Sequence, residues 1–152
     1  MNRDTNHLVI AVDGSENSRR AVDYVGGLLG GLGGFTLTVL HVIHAPGEDF
    51  FPSRRERERW VHSGRKKVDR WLADYRQLLI AAGFDPGTVS TAIVERDGPS
   101  LAWLILDETT SLGAGTIVVG RQGLSIKEEA LFGSVSRQIV SQARNCSVWV
   151  VQ

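Results

Sequence analysis

Short uninterrupted apolar runs alternate with longer amphipathic stretches along this 152-residue chain, and that alternation leaves few folds open. Leu8 to Val12 is apolar at every position, the pattern of a strand covered on both faces. Ser18 to Leu32 then carries Ala21, Val22, Val25, Leu28, Leu29 and Leu32 at helical spacing. Phe35 to Ile43 reads as a second strand, and Glu56 to Ala82 as a long helix with Val61, Val68, Trp71, Leu72, Tyr75, Leu78, Leu79 and Ala82 on one stripe, stopped by Gly83. Val89 to Glu95 is a third strand. Pro99 to Asp107 is a helix with proline in its first turn, Thr116 to Gly120 a fourth strand, Ser134 to Arg144 a helix and Ser147 to Val151 a last strand. Strands separated by helices pair in parallel, so the expected class is α/β, an open parallel five-stranded sheet with helices on both faces.

The segment after the fourth strand carries the chemistry. Gly120 and Gly123 stand three apart, nine residues follow, and then come Gly133, Ser134, Val135 and Ser136. A strand that ends in glycine lets a ligand approach its backbone, because no Cβ intervenes. A helix that begins at Gly-Ser offers free N–H groups and the positive end of its dipole, which suits an anion such as phosphate.

This Gly-x2-Gly-x9-Gly-Ser spacing resembles the nucleotide-binding signature of the universal stress protein family, in its ATP-binding branch. Leu8-Val9-Ile10-Ala11-Val12-Asp13-Gly14-Ser15 resembles the family's first strand and acidic turn, Val39-Leu40-His41-Val42 the end of its second strand, and Gly98-Pro99 the start of its third helix. The resemblance covers nearly the whole chain and implies a strand order of 3-2-1-4-5 (Rossmann-like), a single domain over residues 1–152, and a ligand at the point where strand order reverses, with Asp13 opposite Gly120. It implies a nucleotide-binding set of Ala11, Val12, Asp13, Ser15, Val42, Val119, Gly120, Arg121, Gly123, Gly133, Ser134, Val135 and Ser136. Within that set the aspartate would meet the nucleoside and the Val42 backbone the adenine edge. ATP is the implied ligand, with magnesium on its phosphates, and a homodimer through residues 147–151 the implied assembly. The chain departs from the family where Ala114-Gly115 replaces the usual Ala-Asp and Cys146-Ser147 the usual Cys-Pro, both away from the ligand side.

Each of these residues has a plainer use. Asp13 and Ser15 suit an Asx turn and helix cap. His41 suits a hydrogen-bonded strand histidine, and Arg121 and Lys127 suit solvated surface charges as well as phosphate contacts. Phe50 and Phe51, in the irregular Pro46–Pro52 connection, suit packing onto the second helix. Cys146 reads as a small core residue, and the glycines between Gly26 and Gly34 as a site of close packing. The basic run from Arg54 to Arg70, interleaved with Glu56, Glu58 and Asp69, reads as a solvated helix face rather than a nucleic-acid patch.

Absences narrow the function. Formal net charge is zero, which removes the simplest argument for nucleic acid or an anionic membrane. No apolar run approaches the ~20 residues of a membrane helix, no export signal is evident, and one cysteine allows no internal disulfide, so the cytoplasm is the expected setting. No G-x-x-x-x-G-K-[ST], H-x-G-H or S-G-G-x-D-S motif occurs, and the four histidines lack zinc-ligand spacing. The resemblance implies nucleotide-dependent sensing or regulation, and these absences leave it without a dedicated catalytic apparatus. A non-binding interaction module of the same fold and a slow ATPase are the alternatives.

Overall fold

The computed structural model describes residues 2–44, 51–121 and 134–152. The first strand, β1 (Asp4–Ala11), lies at the centre of a five-stranded sheet of order β3-β2-β1-β4-β5. Its neighbours are β2 (Thr36–His44) and β4 (Ala114–Gly120), and the edges are β3 (Val89–Arg96) and β5 (Ser147–Val151). Every pairing is parallel. Residues 8–11 of β1 are in register with 37–40 of β2 and 116–119 of β4.

The continuous apolar run of β1 now has its cause. Successive side chains leave a strand on opposite faces. Leu8, Ile10 and Val12 enter the core under α1 (Glu16–Leu29) and α2 (Arg54–Ala81). Val9 and Ala11 enter the core under α3 (Leu101–Ser111) and α4 (Ser134–Gln142). Both layers are apolar, so no position between them can be polar without a partner.

Several element ends differ from the sequence expectation. Val12 lies past β1, although its N–H still donates to the Leu40 carbonyl at 2.9 Å. Helix α1 stops at Leu29, since Gly30 caps it and Gly31 takes φ +82. Leu32, spaced as a core residue, is therefore exposed, and Leu28, still within α1, is exposed as well. Pro99 stands outside α3, whose cap is Ser100, accepting from the Trp103 N–H at 3.1 Å. The stripe of α2 is buried at Val61, Val68, Leu72, Tyr75 and Leu79, while Ala82 is exposed. Cys146 is half-buried against the α3–α4 core, and Phe51 packs on Trp60 of α2 with ring centroids 5.8 Å apart. Phe50 lies outside the described residues.

The glycine-rich end of α1 is a packing device. A Cβ on Gly26 would stand 3.0 Å from that of Ala82, and one on Gly30 would occupy the place of the Ala82 carbonyl oxygen. Gly83, at φ +118, accepts at its carbonyl from the Gly31 N–H at 3.2 Å. The C-terminal ends of α1 and α2 thus meet backbone to backbone.

Candidate functional site

Where β1 ends, the chain turns sharply into α1, and four hydrogen bonds fix the turn. The Asp13 Oδ1 accepts from the Ser15 N–H at 3.0 Å and from the Ser18 hydroxyl at 2.8 Å. The Ser18 oxygen in turn accepts from the Asp13 N–H at 2.9 Å, and the Ser15 hydroxyl oxygen accepts from the Ser18 N–H at 3.3 Å as the α1 cap. The turn needs Gly14, which sits at φ +82 with the Trp71 indole 3.0 Å from where its Cβ would be. Partial burial pushes the Asp13 carboxyl up, but the bonds from Ser15 and Ser18 and the nearby His41 outweigh it, so its pKa is lowered below the usual 3.8. Asp13 therefore serves the local turn, as its residue type suggests.

His41, at the end of β2, closes the same corner. Its Nδ1–H donates to the Val12 carbonyl at 2.7 Å, and its ring meets Trp71 edge-on at 4.9 Å. Strand β2 continues past the end of β1, paired with β3 as far as His44. Leu40 directs its carbonyl to the β1 side, where Val12 bonds it. Backbone groups alternate sides along a strand, so Val42 turns its N–H and C=O to that side as well, beyond the last residue of β1. A donor and an acceptor on one edge suit a planar heterocycle that carries the complementary pair.

Between these elements lies a cavity of about 300 Å³. Ala11, Val12, Asp13, Ser15, Val42, Val119, Gly120, Ser134, Val135 and Ser136 all line it, so the sheet brings together ten positions expected from sequence. The first turn of α4 contributes the last three. Gly123, Lys127 and Gly133 lie outside the described residues.

Two expected positions have other neighbours. Arg121 is not among the described residues that line this cavity. Its N–H donates to the Val151 carbonyl at 2.8 Å, and the residue borders a separate groove with Arg137 and Val140, because the β4–β5 ladder carries the chain away from the opening. Gly120 was expected to leave room for a ligand, yet the space where its Cβ would stand is filled by the Asn17 backbone of α1.

Sequence reasoning missed six lining residues, Asn17, Ser18, Leu40, His41, Leu101 and Ile105. Leu40, Leu101 and Ile105 have the pattern of any core residue, and only the i, i+4 pairing of the last two on α3 hinted at a shared face. Among the described residues no group of three His, Cys, Asp or Glu could hold a metal ion.

The Universal stress protein family model matches residues 5–152. No match is found among curated proteins. Solved structures of similar fold include the universal stress protein UspA of Lactobacillus plantarum, 18% identical with TM-score 0.77, covering 99% of each chain. A universal stress protein of Archaeoglobus fulgidus in complex with dAMP is 20% identical with TM-score 0.64, covering 95% of this chain and 96% of that one. A universal stress protein in complex with cAMP is 20% identical with TM-score 0.66, covering 97% of this chain and 96% of that one. The chain belongs to the universal stress protein family.

Proposed function

We propose that this chain binds an adenine nucleotide in the cavity between β1, β2 and β4, and acts as a nucleotide-dependent sensor or regulator. The observation that carries the reading is the convergence on one cavity of an acidic turn, an open backbone donor and acceptor at Val42, and the start of α4. Adenine would lie along Val42 among Leu40, Leu101 and Ile105. The sugar would face Asp13, and the phosphates would extend toward Ser134. The dAMP and cAMP complexes of similar proteins support an adenine ligand. ATP is our candidate, with magnesium held by its phosphates.

Binding is favoured over turnover. Among the described residues the titratable side chains lining the cavity are Asp13 and His41. Both are engaged in holding the β1 turn, Asp13 through Ser15 and Ser18 and His41 through Val12. Calorimetry with ATP, ADP and GTP tests the reading, with an adenine preference expected. No heat and no thermal shift at millimolar ATP would sink it.

We also propose that two copies pair through β5. It is an edge strand, and Trp149, Val150 and Val151 share an apolar groove with the exposed Tyr24 and Leu28 of α1. Pairing would satisfy the open edge and cover that groove. Light scattering at micromolar concentration should give a dimer mass.

A further inference from the structure

Charge that is mixed in the sequence of α2 is separated on its surface. Residues 54–70 hold eight basic and three acidic side chains, a net of +5; the whole chain sums to zero, so the remainder carries −5. Two of the eight are neutralised, Arg54 by Glu58 at 3.3 Å and Arg57 by Glu95 at 3.4 Å. Among the described residues no carboxylate pairs with Arg55, Arg59, Lys66 or Arg70, and all four are exposed. At about 100° per residue these four fall in a band about 60° wide, turned away from the buried Val61–Val68 stripe, and Glu56, Glu58 and Asp69 each fall at least about 40° outside it. The result is a line of cations about 22 Å long on one helix face.

We propose that this stripe docks an acidic segment of a partner protein. Its length matches about seven residues of extended chain at about 3.3 Å each. A single-sign line with no compensating carboxylate is poised to gain from an opposite line, since its side chains exchange no existing ion pair for the new ones. The scale of the patch favours a peptide over a larger polyanion. A duplex or a bilayer extends far beyond 22 Å, toward a surface that carries −5, whereas a short acidic segment ends where the stripe ends.

The test uses the full chain and a fluorescein-labelled oligoglutamate about ten residues long, read by anisotropy at about 0.05 M salt. Saturable binding that weakens with added salt is expected. The double variant Arg59→Glu/Lys66→Glu should lose affinity about tenfold, and Arg65→Glu/Lys67→Glu, with the same charge change off the band, less than about threefold. Circular dichroism checks both folds, and Arg59→Gln/Lys66→Gln serves if charge reversal disturbs α2. No binding by the wild type, or equal losses in the two doubles, overturns the proposal. So does tighter binding of a DNA oligonucleotide or phosphatidylserine vesicles in the same buffer.

Discussion

The Asn17 backbone carbonyl occupies the space where a Cβ on Gly120 would stand. The end of β4 and the first turn of α1 are therefore in direct backbone contact, and that contact sets the distance between the Asp13 turn and the Gly120 wall of the cavity. Replacing Gly120 with alanine should push α1 outward, cost about 1–3 kcal/mol of stability, and weaken ATP binding at the same time. Urea denaturation together with calorimetry checks this. Lost affinity with unchanged stability would return Gly120 to the role of a ligand-facing glycine.

Val42 should matter through its backbone alone. Val42→Ile should keep wild-type affinity for ATP. Val42→Pro should abolish measurable binding, because it deletes an N–H that the sheet does not use on the open side of β2. Thermal melts must show a folded variant. Strong ATP binding by folded Val42→Pro would refute the adenine contact.

Asp13 links the site to acid stability. Its folded pKa is lowered, so its contribution is present above the ordinary value of 3.8 and is lost as pH falls through the lower folded value. Asp13→Asn keeps an acceptor for Ser15 and Ser18 but has no proton to gain. Its stability should fall less steeply than that of the wild type below pH 3.8, and its affinity for ATP should drop because the charge is gone. Parallel acid titrations followed by circular dichroism would show the difference.

His7 acts in the same direction at a higher pH. Burial lowers its pKa below 6.5, against the opposing Asp4 charge and a Leu112 backbone bond, and its Nε2 lies 2.8 Å from the Thr38 hydroxyl. The unfolded chain therefore takes up this proton first. Stability should decline as pH falls from 6.5 toward the folded value and be unaffected by this group above 6.5. His7→Gln should flatten that part of the profile in urea titrations.

The parts of this protein legible in sequence are those where side-chain type and backbone need coincide. The run Leu8–Val12 announces a two-sided strand because both helical layers demand apolar residues. Asp13-Gly14-Ser15 announces a turn because each residue has a separate reason to be there. The strand order followed from the resemblance, not from any single strand. Leu101 and Ile105 could not be recognised as cavity walls, since a side chain facing an adenine-sized space obeys the same pattern as one facing a neighbour. Leu32 misled for the opposite reason. It continues the helical period, but Gly30 and Gly31 have already ended the helix.

The crossing of α1 and α2 bears on how this sequence can vary. Gly31 and Gly83 lie at the surface, where most positions accept almost any residue. Here a side chain on Gly83 would meet the Gly31 backbone, and one on Gly30 the Ala82 carbonyl. A saturation library selected for folded protein should thus return glycine at 30 and 83 as stubbornly as it returns leucine at 79. Solvent exposure alone would mistake this corner of the molecule for free sequence space.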